Sequence, residues 1–291
     1  MLMTFQTPLV REGGNALKLE IIIVLSVLLG FIILEILFTS FFKKPGQKTS
    51  DGIVEIVSSG MLLLFTQPTI LVLAALGMSA VWPDGQGAIA TWPIWSMVLL
   101  LLVFDDMMQY WWHRLSHTLP WLYKLHRPHH NAEYLSIRVV YRNNLFYYML
   151  MPGLWFSGIL LYFGVSPLVY GVYLVTKLSV IYGAHSDVRW DAPLYKIKAL
   201  SPLMWVVERT ISTPATHSAH HGKYASDSIT NYHGNYGNLL FFWDVLFGTA
   251  KITRQYPAEM GVENLPETSI GEQLLWPLIT KNPQPKHVPA E

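Results

Sequence analysis

Long apolar runs separated by short polar connections dominate the first two thirds of the chain. Five of them, residues 21–42, 53–82, 93–112, 145–163 and 168–182, come near the roughly 20 apolar residues that a helix needs to cross a bilayer. The fifth is the shortest and carries Lys177, which predicts either a tilted span or a shallow hairpin with the fourth, turning at residues 164–167. The first is too long for the core of a cleavable signal and is followed by Lys43 and Lys44, which predicts a retained anchor. The expected organisation is an N-terminal segment at 1–18 and a single membrane-embedded unit at 19–280 with its core at about 95–250. The Pro-rich tail at 281–291 is expected to be disordered.

Loop charge predicts the orientation. The connection after the first run carries Lys43, Lys44 and Lys48, whereas those at 83–91 and 164–167 carry neither Lys nor Arg. The basic loop is therefore expected on the cytoplasmic side. Alternation then brings the third run inward to His113 and returns the fifth just before His185, so every histidine cluster falls on the cytoplasmic face. Five basic residues between His113 and Leu145, and nine after His185, agree with that placement. Trp82, Trp92 and Trp95 fit an interfacial belt on the opposite side. The predicted fold is an all-α integral membrane protein of four to five transmembrane helices, with a cytoplasmic helical cap holding a histidine-rich dimetal site. A bacterial inner membrane and an endoplasmic reticulum both suit it.

Composition agrees: 52% of the 291 residues are hydrophobic and 13% charged, too apolar for an ordinary soluble domain. The net charge of +1 and the lack of any long basic run argue against a nucleic-acid partner. The absence of cysteine removes disulfides, thiolate metal sites and iron–sulfur clusters held by this chain's residues, so any electrons must arrive from another protein.

The candidate chemistry lies in the histidines. His113 and His117 are spaced i, i+4; His126, His129 and His130 are spaced i, i+3, i+4, and His217, His220 and His221 repeat that spacing. Such residues share one side of a helix, so their rings are expected to converge on one point. A lone histidine is usually a surface or satisfied imidazole. Three clusters on one face point instead to metal, because burying so many imidazoles without partners is costly and neutral imidazole is the commonest metal ligand. With His185 there are nine nitrogens, more than one ion uses, which predicts two metals with four or five each. Imidazole suits zinc, copper, iron and nickel alike, and spacing does not choose among them. His233 is a weak further candidate, and His287 lies in the tail. Pro128 is expected in the first turn of a helix, leaving His126 just before it.

Among polar neighbours, Asp106 lies on nearly the same helical side as His113 and His117, where it is expected to accept the outer N–H of a ligand imidazole or of a neighbour; a helix N-cap or a solvated acid at the membrane surface is the plainer alternative. Asp105 reads as a surface or capping group. Lys177 either lines a cavity or snorkels. Glu133 and Arg142 form an ion pair or touch substrate, and Tyr110, Trp111, Trp112 and Trp121 read as packing and interface anchors.

Taken together, "DMMQYWWHRLSH", "HRPHH", "HSAHH" and the closing "NYGNLLFFWDVLFGT" resemble, in order, the histidine boxes and C-terminal signature of the fatty acid hydroxylase and sterol desaturase superfamily of membrane di-iron enzymes. The likeness runs from about Asp106 to Thr249, half the chain. It implies oxidation of an unactivated lipid C–H bond, by hydroxylation or desaturation, with O2 as co-substrate and two iron ions, for which zinc can stand in after purification. The implied ligands are His113, His117, His126, His129, His130, His185, His217, His220 and His221, with Asp106 behind them. A lipid substrate entering from the bilayer is implied, together with a separate electron donor of ferredoxin or cytochrome b5 type. Three positions depart from the pattern: Asn144 stands where many members have a histidine, His233 where an acid is common, and Pro128 where a non-proline is usual. A bis-histidine haem carrier would want single histidines on facing helices, and a metal transporter would want ligands near the bilayer midplane; neither suits these clusters.

Overall fold

The computed structural model describes residues 8–280, with side chains from Ile22 onward; residues 1–7 and the tail at 281–291 lie outside the described residues. Every described element is helical, and the only strand-like contacts among them are two isolated bridges, Ile211 with Leu240 and Gly222 with Met260.

The first helix, α1, is Pro8–Phe38, and its apolar part is Ile22–Phe38. The second apolar run forms α2 (Thr49–Met61), a π-helical turn (Leu62–Thr66) and α3 (Gln67–Val81). The third forms α4 (Ile94–Leu101), a π-helical turn (Leu102–Met107) and α5 (Met108–Thr118). A short α6 (Pro120–His130) leads to α7 (Leu145–Met149), α8 (Pro152–Phe163) and α9 (Pro167–His185). Four of these stretches are long and apolar enough to cross a membrane: Thr49–Val81, Ile94–Thr118, Leu145–Phe163 and Pro167–His185. The fifth run is thus a full helix of 19 residues ending on His185, not a shallow hairpin. Leu37, Phe38, Leu64, Phe65, Leu76, Val81, Leu168 and Val172 all point outward, a surface too apolar for water and matched to lipid. The protein is an integral membrane protein.

Packing rather than desolvation orders helices within lipid, so small residues sit where backbones approach. Gly158 of α8 shows this against α3: a Cβ there would lie 2.7 Å from Ala74 Cβ. Helix α9 is the inner span, buried through Tyr173, Leu174, Leu178, Ile181 and Tyr182 against α1 and α4. Gly164 ends α8 at φ 102°, a left-handed conformation where a Cβ would also strike Gly87.

After α9 the chain forms a cap of short helices: α10 (Asp191–Tyr195), α11 (Ser201–Thr210), α12 (Pro214–His221), α13 (Phe242–Phe247) and α14 (Ile270–Leu275). Thr213 starts α12 with a reciprocal bond to Thr216, and Pro214 occupies its first turn. One start differs from expectation. Helix α6 begins at Pro120, so Pro128 lies in its last turn and His126 is on the helix. The proline is tolerated there because Lys124 alone loses its intrahelical donor and the helix stops two residues later.

Candidate metal centre

Four helices end at one place. His117 is in the last turn of α5, His130 and His185 are the final residues of α6 and α9, and His221 is the final residue of α12. Helix C-termini carry partial negative charge, so their convergence favours a cation.

All nine sequence-predicted histidines meet here, in two groups. His113, His117, His126, His130 and His220 form one; His129, His185, His217 and His221 form the other; in each, the candidate ligand nitrogens lie within 4.8 Å of one another. The groups adjoin, with the His130 and His221 rings stacked at 4.4 Å. The expectation that each triplet meets at a single point is corrected by the geometry. The i, i+4 pairs 126/130 and 217/221 stay together, while His129 and His220 cross to the other group. Residues four apart differ by about 40° around a helix, whereas the third lies about 60° to the other side, so each triplet serves both groups.

The tautomers follow from the outer nitrogens. Nδ1–H of His113 donates to the carbonyl of Tyr236 (2.7 Å), that of His220 to Gly234 (2.7 Å), that of His129 to Val139 (2.9 Å) and that of His185 to Ile181 (2.8 Å). Nδ1–H of His126 donates to Asn143 Oδ1 at 2.8 Å, and Asn143 is oriented by its own donation to the Tyr148 hydroxyl. A carbonyl only accepts, so each of these rings carries its proton outside and presents a lone pair on Nε2 inside. Yet Nε2 of His113 and Nε2 of His220 are 3.0 Å apart, and Nε2 of His129 and Nε2 of His185 are 3.4 Å apart. Two lone pairs confront each other in each group, which only a cation reconciles. A proton is disfavoured, because burial holds His129 and His220 well below the usual imidazole range. Nε2 of His117 is likewise buried without a partner. The donor set therefore fits two transition-metal ions.

The loop after α12 supplies two of the outer carbonyls, those of Gly234 and Tyr236. Asn235 sits at φ 57°, a left-handed position that asparagine tolerates, and its amide donates to the carbonyls of Thr216 and Lys251. The Asp244 carboxylate accepts from the backbone of Tyr236 (2.8 Å) and Gly237 (2.6 Å) and from the Thr249 hydroxyl (2.6 Å). The closing sequence motif is thus a scaffold for the acceptors of His113 and His220.

Other predicted residues sit differently. Asp106 touches no imidazole. It accepts from the backbone of Leu239 (3.3 Å) and Leu240 (3.2 Å) and from Trp243 Nε1 (2.8 Å). The π-helical turn at Leu102–Met107 widens the helix before His113 and turns Asp106 toward the loop that carries Tyr236. Asp105 is not a surface group: it is buried and paired with Lys177 at 2.6 Å. Glu133 and Arg142 form ion pairs with Lys48 and Asp51, not with each other. Asn144 caps α7 and donates to the carbonyls of Gln273 and Trp276. His233 is exposed and belongs to neither group; His287 lies outside the described residues. Tyr110, Trp111 and Trp112 are packing residues.

One residue was missed. Glu35 of α1 is fully buried and accepts from Ser136 Oγ (2.6 Å), Ile137 N (3.0 Å), Ser186 Oγ (3.0 Å) and Asp187 N (3.0 Å). It thereby joins the loop before Val139 to the residues after His185. An acid within an apolar run was its signal.

Beside the imidazoles lies a cavity of about 90 Å³, bordered by His113, His126, His129 and His185 and by aliphatic residues such as Leu154, Leu174, Leu178 and Ile181. Most of its walls come from the spans, and Gln67, Gln109, Asn143, Lys177 and Asn238 also border it, so one side of the centre faces a mainly apolar slot with polar groups in its lining.

A family model described as fatty acid hydroxylase matches residues 98–249, just over half of the chain. Alkylglycerol monooxygenase of Danio rerio is 28% identical over 229 residues, 76% of this chain and 45% of that protein. The Homo sapiens protein of the same name is 29% identical over 146 residues, 50% of this chain and 28% of that protein. A cholesterol 25-hydroxylase-like protein of Danio rerio is 27% identical over 170 residues, 54% of this chain and 55% of that protein. The chain therefore spans about half, or less, of the length of these relatives. No solved structure matches. Because the matched segment contains all nine converging histidines and the loop that orients them, the chain belongs to the fatty acid hydroxylase family, within the fatty acid hydroxylase/sterol desaturase superfamily.

Proposed function

We propose that the protein is a membrane-bound non-haem di-iron oxidoreductase that uses O2 and an external electron donor to oxidise a C–H bond of a lipid, by hydroxylation or desaturation. The observation that carries this reading is the pair of confronting Nε2 lone pairs, one in each histidine group, beside an apolar slot. Five nitrogens within 4.8 Å of one another leave no room for a porphyrin, which argues against haem. Iron is favoured over zinc because zinc has no redox chemistry. When bound, two irons supply the reducing equivalents for O–O cleavage and the oxidant for the C–H bond.

The chain's own residues do the rest. His113, His117, His126, His130 and His220 hold one ion, and His129, His185, His217 and His221 the other. Backbone carbonyls and Asn143 lock the ring orientations, and Asp106 and Asp244 hold the loop that carries two of those carbonyls. The aliphatic slot keeps water from the reacting carbon. Relatives named alkylglycerol monooxygenase and cholesterol 25-hydroxylase-like protein support an ether lipid or a sterol as substrate and hydroxylation as the reaction. The basic residues around the histidines support a cytoplasmic centre, reached there by a ferredoxin or cytochrome b5-type donor.

The test is anaerobic reconstitution of the purified chain with ferrous iron, elemental analysis, and then turnover with a reduced donor and a membrane lipid extract. Two irons per chain, O2 uptake and lipid products heavier by one oxygen or lighter by two hydrogens are expected. Folded protein that takes up no transition metal, or that takes up iron but never consumes O2, overturns the reading.

A further inference from the structure

The cavity beside the imidazoles is polar at its far end, although the spans around it are apolar. Asp105 and Lys177 lie eight residues before His113 and His185, on spans that run in the same direction. Both therefore sit on the order of 12 Å from the imidazoles along the helix axes. Lys177 Nζ donates to Asp105 Oδ2 at 2.6 Å, and the Tyr173 hydroxyl donates to the same oxygen at 2.8 Å. Both charged side chains are buried. Ionisable groups within a span are costly, and they typically face a cavity or a substrate path; Lys177 borders this one.

Gln109, one turn from Asp105 toward His113, also borders the cavity. A purely structural ion pair would close on itself, but Gln109 Oε1 and Asp105 Oδ1 are both buried without a hydrogen-bond partner. Two π-helical turns flank the same region: Leu62 of the first lines the cavity, and the second contains Asp105. Such turns are frequent at functional sites.

We infer that this polar floor, formed by Lys177 and Gln109, receives a free hydroxyl group of the lipid substrate. The inference rests on the cavity being the substrate cavity of the proposed oxygenase. An ammonium only donates and an amide oxygen only accepts; a hydroxyl is the small group that does both. An ether or ester oxygen can accept from Lys177 but brings no proton to Gln109 Oε1, while a carboxylate or phosphate meets the charge of Asp105. The substrate class is therefore a long-chain lipid with a hydroxyl roughly 6–12 Å from the oxidised carbon, the span between Gln109 or Lys177 and the histidines.

The test measures binding to the metal-loaded, full-length protein in detergent without oxygen. The probes are 1-O-hexadecylglycerol and its di-O-methyl derivative. The free-hydroxyl lipid is expected to bind about tenfold tighter or more, as for a hydrogen bond to a charged donor. Gln109→Leu is expected to erase most of that preference, as is Lys177→Met combined with Asp105→Leu, which leaves neither charge buried alone; metal content stays at two per chain. Equal affinity of the wild-type chain for both probes overturns the inference, and that comparison needs no variant to fold. Full preference in both variants overturns it as well. Hydroxyl preference without O2 consumption retains the floor and removes the oxygenase reading; O2 consumption without hydroxyl preference does the reverse.

Discussion

Replacing Glu35 by alanine tests whether the first helix belongs to the metal centre, although it lies outside the segment that the family model matches. The carboxylate accepts four hydrogen bonds, from Ser136 Oγ, Ile137 N, Ser186 Oγ and Asp187 N, and Lys44 Nζ lies 3.6 Å away. Each bond to a charged acceptor is worth about 1.5–3 kcal/mol, but the four share one oxygen pair and do not add. Removing one partner from a buried ionic network costs about 3–5 kcal/mol, a large part of the roughly 5–15 kcal/mol that holds a domain folded. The damage falls unevenly. The loop at 136–139 carries the carbonyl that accepts from His129, and residues 186–187 follow His185 directly. Both rings serve the four-imidazole group, whereas the loop anchoring His113 and His220 depends on Asp244. Loss of a group that orients ligands weakens metal binding by about 10–100-fold. Glu35→Ala is thus expected to hold about one metal per chain at limiting metal, by elemental analysis, where the natural chain holds about two. Two tightly held metals per chain in Glu35→Ala, with unchanged melting temperature, would refute the reasoning.

The complementary change, Asp244→Ala, orphans the backbone donors of Tyr236 and Gly237. It is expected to cost about 3 kcal/mol, read as a lowered melting temperature, and to loosen the five-imidazole group first. Gly158→Leu drives a side chain into Ala74 and is expected to abolish the α3–α8 contact, while Gly158→Ala costs about 1–3 kcal/mol; size-exclusion profiles in detergent and melting curves rank the two. Burial first, and neighbouring imidazoles second, hold His126, His129, His130, His217, His220 and His221 well below the ordinary range. Below about pH 6.5 the unfolded chain binds protons that the folded chain refuses, so metal-free protein is expected to lose stability as pH falls from 7 to 5. Metal-loaded protein should hold its melting temperature further down until protons displace the metal, and parallel profiles for the two forms would contradict the assignment.

The spans were legible because the requirement for about 20 apolar residues is written directly in composition. The histidines were legible because a 3.6-residue period turns spacing into direction. What stayed hidden depends on contacts between distant elements. The partition of the nine rings could not be read, since it needs the angles at which α5, α6, α9 and α12 meet; only then does His129 leave its triplet for His185, and His220 leave its own for His113. A regular α-helix would put Asp106 on the ligand face, and the π-helical turn that contains it breaks that regularity. Pro128 suits a first turn on local grounds, but in α6 Pro120 holds that place. The partners of Lys177 and Arg142, Asp105 and Asp51, lie 72 and 91 residues away along the chain, beyond any local pattern.

The charge balance of the centre ties fold to chemistry. Neither histidine group contains a carboxylate, so nine neutral imidazoles would surround two divalent ions and leave their positive charge uncompensated by ligands. The acids closest in role, Asp106, Asp244 and Glu35, all spend their charge away from the imidazoles, on backbone, hydroxyl and indole donors of the supporting loops and, for Glu35, also on Lys44. Compensation falls instead to neutral dipoles: the C-terminal ends of α5, α6, α9 and α12, and the carbonyls of Val139, Ile181, Gly234 and Tyr236 that face the outer ring nitrogens. That arrangement explains why the histidines gather at helix ends and not at helix starts, where the dipole would repel the ions. A neutral acceptor also leaves each imidazole a weaker donor to metal than a carboxylate would. Four of the five outer acceptors are backbone carbonyls that no side-chain substitution turns into an acid, so the fold itself sets most of the ligand field; only Asn143, which faces His126, offers a side-chain acceptor that could be made acidic.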